Sequence, residues 1–421
     1  MELAAADQAM LAGADGPATQ WAMSLLVTLG NAAGARRMLD LDGAHLVGSY
    51  HSGPANLSVL RHLVGAGAKV RIPTTLNASS ADLRPDCHER YRGGSTESAR
   101  EVVNLYCQMG CRPLLSCAPY WIDDIRPRPG AVLAWAESNA VLFANSVIGA
   151  HCLKTPQYVD LAGALTGRMP DVDALAPEGR TPQWGADISG WSQAWRESPL
   201  AYELVGFYLG QTGGTQIPLL KGVPKEVGEA VLRSLCAAAG VSGGFAVIQI
   251  EGITPGIPDL PADLPLERID EAGLLTIWQR LGRMERGPVG AVCIGAPHAS
   301  LEDIRALSLA SQQIERFSVP VFVSTSRLIL DLAAQAGLMS ALEASGVRFV
   351  ADTCTYYGSL LEGTDALVLT TSAKWAAYGP GNLGVRARLS SLAECVDAAA
   401  SGMLNVELPI GAWPFQRRSD S

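Results

Sequence analysis

Nine cysteines in 421 residues pose the first chemical question, because several stand in turns rather than inside apolar runs. Cys117 lies in Leu115-Ser116-Cys117-Ala118-Pro119-Tyr120 and Cys354 in Ala351-Asp352-Thr353-Cys354-Thr355. Cys293 lies in Val292-Cys293-Ile294-Gly295-Ala296-Pro297-His298. A structural thiol sits among apolar neighbours and is inert. Thiols placed at strand ends beside acids, hydroxyls and a histidine can converge, and three thiolates suit a soft metal or an iron–sulfur cluster. Cys293 sits in its strand rather than in the loop proper. Cys236 and Cys395 read as helix-packing thiols. Cys107 and Cys111 share a helix face only if Gly110 permits it. No CxxC pair occurs, so a zinc ribbon is unsupported.

Other side chains stand at comparable positions. His298 follows Pro297, where it would serve as a base, a ligand's orienter or part of a cap in which Ser300 starts a helix with Glu302 and Asp303. His45 and His51 flank a Gly/Ser/Tyr turn. Arg327 and Lys374 are cations in loop exits beside hydroxyl residues, as a carboxylate or phosphate substrate requires. Neither a GxGxxG fingerprint in context nor a P-loop is present, so nucleotide binding has little support. A GxSxG elbow is also missing.

The elements that position these residues repeat one device, a strand ending in a polar loop. Strands are expected at 44–47, 69–72, 245–250, 289–294, 319–323, 347–350 and 366–372. Helices are expected at 2–12, 19–29, 55–64, 96–109, 131–142, 198–209, 225–239, 302–313 and 328–345. Residues 167–197, rich in Gly, Pro and Trp, read as irregular. The order is that of parallel α/β units, whose ligands bind at the carboxyl ends of strands. The polar exits are Thr74–Asn77, Ser116–Tyr120, Asn145–Ser146, Pro297–Ser300, Ser324–Arg327, Asp352–Thr355 and Thr371–Lys374. Together they suggest a site ringed by loops.

Bulk properties narrow the class. The length implies two or three domains. The net charge is -9, and twenty-seven arginines and five lysines form no basic stripe, so nucleic acid is not an expected partner. No apolar run is long enough to span a membrane, and no signal peptide is read at the start. A reduced, cytoplasmic protein is expected.

Taken together, the motifs resemble the aconitase X family, the short relatives of aconitase. The resemblance rests on Met10-Leu11-Ala12-Gly13, Pro73-Thr74-Thr75-Leu76-Asn77 and Gly110-Cys111-Arg112-Pro113. Further along it rests on Cys117-Ala118-Pro119-Tyr120, Asn145-Ser146-Val147-Ile148-Gly149-Ala150, Pro297-His298-Ala299-Ser300, Asp352-Thr353-Cys354 and Ser372-Ala373-Lys374 through Tyr378. It implies an α/β, aconitase-like fold of three domains around a central cluster site. The expected division is 1–75 with 325–421, then 76–200, then 201–324. It implies a hydro-lyase acting on a small hydroxy acid, cis-3-hydroxy-L-proline first, with mevalonate 5-phosphate as the alternative. A non-catalytic protein that kept the fold is a further alternative, and a cysteine-nucleophile hydrolase another. The chain resembles a large subunit, so the swivelling domain, with its base, is expected in a separate small subunit.

The resemblance assigns an iron–sulfur cluster, 4Fe–4S or 2Fe–2S, to Cys117 and Cys354 with Cys293 as third candidate. Relatives often carry a cysteine directly before the Pro-His pair, where this chain has Ala296. Catalytic roles fall to His298, Ser146 and Lys374. Substrate binding falls to His45, Thr74, Thr75, Asn77, Asn145, Ser146, Arg327 and Ser372. Where many relatives have Arg-Thr, this chain has His151-Cys152, so Lys154, Arg327 or another cation is expected to replace the lost arginine.

Overall fold

A computed structural model of the chain describes residues 1–87, 94–357, 360–361 and 365–405. A small antiparallel pair joins β1 (Met38–Asp40) to β6 (Arg168–Pro170). Three larger sheets follow one another along the chain. The first holds β2 (Gly43–Leu46), β3 (Thr74–Leu76), β4 (Val132–Trp135) and β5 (His151–Cys152), all parallel, in the order β3-β2-β4-β5. The second holds β7 (Trp184–Asp187), β8 (Pro218–Lys221), β9 (Gln249–Ile250) and β10 (Leu266–Arg268), in the order β10-β7-β8-β9.

The third sheet is built on β11 (Gly287–Ile294), β12 (Val321–Thr325), β13 (Val347–Ala351), β14 (Leu367–Thr370) and β15 (Ala387–Leu389). Their order is β13-β12-β11-β14-β15, all parallel, and β16 (Met403–Leu404) pairs antiparallel with β11. Strand pairing therefore groups residues 43–152, 184–268 and 287–404. The divisions expected near 75 and 324 fall inside the first and third of these sheets.

The chain order dictates where a ligand can sit. In a parallel sheet the crevice opens at the carboxyl ends of strands, where the winding direction reverses. In the first sheet that reversal lies between β2 and β4. In the third it lies between β11 and β14. Strand exits in the third sheet are punctuated by serine caps. Ser300, Ser326, Ser372 and Ser391 each accept a backbone N–H at the start of the helices Leu301–Ala310, Arg327–Gln335, Ala373–Leu383 and Leu392–Ser401. The capping box of Ser300 with Asp303 follows the expected pattern.

Some expected elements differ. Residues 131–142, expected as a helix, split into β4 and a short helix Ser138–Phe143. The run Ala131-Val132-Leu133-Ala134-Trp135 is apolar without interruption, and such a run fits a strand buried on both faces as well as a helix. The strand expected at 69–72 lies a few residues later, at Thr74–Leu76. Asn145 and Ser146 are not at a strand exit. They lie in a π-helical turn, Ala144–Ile148. The stretch 328–345 is two helices, Arg327–Gln335 and Met339–Ala344, and 167–197 contains β6 and β7.

Candidate metal centre and substrate pocket

Cys117, His298 and Cys354 come together from three separate segments, each offering a donor atom within 4.8 Å of the others. The chain delivers them by three turns. Cys117 follows the segment of Arg112 that bridges to Thr75 beside β3. His298 follows β11 through Gly295, whose φ of +97° and close approach to the Ser324 carbonyl exclude a side chain, since an added Cβ would lie 2.1 Å from that oxygen. Cys354 follows β13 through Asp352, a buried residue held at φ +66°. Its carboxylate accepts the Leu83 N–H at 3.1 Å and the Arg327 guanidinium, with an Nη2–Oδ2 distance of 2.5 Å. Backbone in this left-handed region costs energy, and its neighbours hold it there.

Hydrogen bonding and charge move the two thiols in opposite directions. Burial alone would raise the Cys117 thiol. The hydrogen bond from Cys354 and the charge of Lys374 outweigh it and bring it down to about 6. Cys354 moves the other way, held well above the ordinary thiol range by that same bond and by burial. The His298 backbone N–H donates to Cys117 Sγ at 3.2 Å. The His298 ring bonds through Nε2 to the Thr353 carbonyl at 3.0 Å. A carbonyl only accepts, so Nε2 carries the proton and Nδ1 keeps its lone pair. That Nδ1 is buried and without a partner.

Cys293 stands apart from this group among the described residues. It is the penultimate residue of β11, paired with Phe322 on one side and Thr370 on the other. Its side chain packs into the core with Ala291, while Val292 and Ile294 face the opposite cluster. Burial pushes its thiol up to about 12, although a hydrogen bond to Thr355 opposes this. Three thiolates do not converge here. Two thiols and one free imidazole nitrogen do, and that donor set fits a soft transition metal.

A buried ion pair adjoins the triad. Lys374, one residue into the Ala373–Leu383 helix, pairs with Glu137, the residue that caps Ser138–Phe143 after β4. The pair joins the reversal points of the first and third sheets. Glu137 also accepts from Asn77 Nδ2 at 3.1 Å and from Asn139 Nδ2 at 3.0 Å, and Asn139 in turn reaches the Cys117 carbonyl at 3.1 Å. Burial would raise Glu137. The Lys374 charge and these hydrogen bonds take it down to about 2. Lys374 is lifted, against burial, by Glu137 and the Cys117 thiolate. Both stay ionised. They line a cavity of about 540 Å³ with Tyr50, Ser138, Tyr356, Tyr357, Tyr378 and Asn382.

The remaining expected residues divide. His45 is buried at the end of β2, hydrogen-bonds Thr75 Oγ1 at 2.8 Å through Nδ1, and is lowered to about 4 by burial, so its ring is neutral. Its Nε2 and the Oδ1 of Asn77 are buried without partners. The hydroxyl of Thr74 is spent on the Ile72 carbonyl at 2.8 Å. Asn145 is spent on Cys152 and Ala246, and Ser146 Oγ accepts from Ile248 at 2.9 Å, so both tie the first sheet to the second. Arg327 is committed to Asp352, and Lys154 to the carbonyls of Gly240 and Gly243 at 3.0 and 2.5 Å. Both cations are thus held by acceptors of the chain itself. Ser372 is a cap, accepting from Trp375 and donating to the Ala296 carbonyl. Sequence reasoning missed Glu137 and Asn139. Their signal was the polar exit Glu137-Ser138-Asn139 after an apolar run, hidden while that run was taken for a helix.

A candidate soft-metal donor set beside a buried ion pair, where two parallel sheets reverse, is the site of an α/β enzyme. The aconitase X first-domain profile matches residues 1–178, the second-domain profile 187–279 and the third-domain profile 289–401. The chain is 34% identical over 97% of its length to cis-3-hydroxy-L-proline dehydratase of Hypocrea jecorina, covering 70% of that protein. It is 34% identical over 98% of its length to the Pseudomonas aeruginosa protein of the same name, covering 72% of it. With the phosphomevalonate dehydratase large subunit of Thermococcus kodakarensis it shares 31% identity, over 90% of this chain and 95% of that one. The crystal structure of Thermococcus kodakaraensis aconitase X in its holo-form matches with a TM-score of 0.83 at 28% identity, over 95% of this chain and 100% of that one.

The chain belongs to the aconitase X family. It is a hydro-lyase of that type, with a candidate Cys/His metal site.

Proposed function

We propose that the chain removes water from cis-3-hydroxy-L-proline to give a pyrroline-2-carboxylate, with an iron–sulfur centre held by Cys117, Cys354 and His298. The observation that carries this reading is the convergence of that triad, with the Lys374–Glu137 pair near enough to act electrostatically on Cys117. The substrate name is that of the Hypocrea jecorina and Pseudomonas aeruginosa relatives.

The chemistry sets the requirements. An α-proton and a β-hydroxide leave, a carbon–carbon double bond forms, and the resulting enamine tautomerises to the cyclic imine. Hydroxide is a poor leaving group, and a metal held by Cys117, Cys354 and His298 would supply Lewis acidity to ease its departure. The chain's own residues do the rest. Lys374 gives an ammonium for the carboxylate as it gains enolate-like charge. The neutral His45 ring and the Asn77 amide are buried polar groups beside Glu137. Tyr356 and Tyr357 wall the pocket and restrict water.

A separate small subunit completes the site and supplies the base that takes the α-proton. Support comes from the five archaeal relatives named as large subunits, of which the chain covers between 94% and 98%. Phosphomevalonate is the less favoured substrate. Among the described residues lining the cavity Lys374 is the one cation, and it is already paired.

The test is anaerobic incubation of the chain with its small-subunit partner and each substrate in turn, following the imine product or the dehydrated phosphomevalonate. Turnover of cis-3-hydroxy-L-proline supports the reading. Turnover of phosphomevalonate alone replaces it, and inertness to both leaves a protein that has the fold without the activity.

A further inference from the structure

We propose that Glu137 and Lys374 act together as a receptor for a zwitterion, Glu137 taking the ring ammonium of the substrate and Lys374 its carboxylate. The inference rests on the dehydratase reading and assigns a specificity role to Glu137 within it.

Geometry places both charges on one wall of the same cavity. Their side chains are only 12% and 4% exposed, respectively. Two ions so far from water are stable because each neutralises the other, and a ligand that upsets the balance is rejected. A zwitterion adds one charge of each sign and leaves the sum at zero. A phosphate ester with a carboxylate adds two or more negative charges, which the described lining does not answer.

Unused valence is present on both partners. Glu137 Oε1 meets Lys374, Asn139 and Ser138, whereas Oε2 meets Asn77 Nδ2 alone at 3.1 Å. A carboxylate oxygen accepts about two hydrogen bonds, so Oε2 has room for an N–H of a secondary ammonium. Lys374 Nζ has three hydrogens and one recorded partner, Glu137 Oε1. Asn77 and Asn139 fix the carboxylate from the protein side, so it is oriented before a ligand arrives. Asn139 also ties that orientation to the Cys117 carbonyl, and so to the metal ligands.

Two five-membered rings test this on the full chain with its metal centre and small subunit. L-Proline lacks the 3-hydroxyl and cannot lose water, and tetrahydrofuran-2-carboxylate replaces its ring N–H with an oxygen. Calorimetric titration of the wild type is expected to show L-proline binding at least about tenfold tighter. In Glu137→Gln that preference falls to within about threefold, with metal content and circular dichroism unchanged. Glu137→Asp, a second variant in case the amide disturbs the fold, keeps the preference at weaker affinity. Equal binding of both rings to the wild type, or a preference that survives in Glu137→Gln, overturns the proposal. If cis-3-hydroxy-L-proline is turned over in those cases, the dehydratase reading stands and this role alone falls. If the wild type binds neither ring and turns nothing over, both fall.

Discussion

His298 donates its Nε2–H to the carbonyl oxygen of Thr353 at 3.0 Å, and Thr353 is the residue immediately before Cys354. One ligand of the candidate centre is therefore oriented by the backbone that carries another. The bond fixes Nε2 as the protonated nitrogen and leaves the buried, unpartnered Nδ1 as the ring atom able to bind a metal. Orientation of a ligand imidazole by a carbonyl is a recurrent device of metal sites.

His298 is accordingly predicted to be a ligand through nitrogen. In the reduced, iron-loaded protein, pulsed electron paramagnetic resonance should detect hyperfine coupling to a nitrogen nucleus. That coupling should vanish in His298→Ala, and iron affinity should fall by at least about tenfold. Coupling that persists in His298→Ala would assign the nitrogen elsewhere.

The cysteines should divide by role. Cys117→Ser and Cys354→Ser are expected to abolish bound iron. Cys293→Ala should keep it, and should cost roughly 1–2 kcal/mol of stability through lost packing in the centre of the third sheet. Metal analysis beside urea unfolding separates the two outcomes, and loss of iron in Cys293→Ala would return that thiol to the ligand set.

How far the sequence carried this reading depended on the physical range of each signal. Strand exits were visible because a polar loop after an apolar run is a local pattern, and this located Cys117, His298 and Cys354. Which of them meet was not local. Cys293 and Cys354 both stand near strand ends and in the same apolar cluster, yet Cys293 is outside the group of donor atoms that meet. Asn145 and Ser146 had the right chemistry in the wrong backbone, a helical turn whose hydroxyl and amide serve neighbouring chain segments. Glu137 was hidden by a single wrong period, since a fully buried strand and a buried helix carry the same apolar string. The parallel α/β class survived all of these differences, because it rests on the order of the elements and not on their edges.

Stability should depend on pH through Glu203, a residue of the second sheet's layer that accepts the Ala373 N–H at 2.8 Å. Burial raises its carboxyl from 4.5 to about 8, against hydrogen bonds from Ala373 and Ser234 and the charge of Arg233. The folded state thus holds a proton that the unfolded chain releases. The contribution is complete below about 4.5 and is lost as pH rises through about 8. Within that window the slope approaches one proton, ~1.4 kcal/mol per pH unit. Urea titrations across the window should show Glu203→Gln without this slope, and an unchanged slope would show that other groups set it.

Arg388 and Glu394 form a fully buried pair, 2.7 Å apart, with side chains 0% and 1% exposed. Arg388 also donates to the Arg283 carbonyl at 2.7 Å and lies over the Trp278 ring. Glu394 caps Ser391 and so fixes the start of the last helix. Removing one partner leaves an uncompensated charge, so Arg388→Met is predicted to cost about 3–5 kcal/mol. The double variant Arg388→Met with Glu394→Leu should recover a large part of that loss. A cost below about 1 kcal/mol for the single change would mean that solvent reaches the pair.

The most direct measurement is the iron and acid-labile sulfide content of the anaerobically purified full chain with its partner, wild type against Cys117→Ser. Iron, sulfide and a visible thiolate-to-iron absorption are expected in the wild type, and all three are expected to be lost in Cys117→Ser with the fold retained. A folded wild type that holds neither iron nor sulfide after anaerobic reconstitution would contradict the cluster assignment.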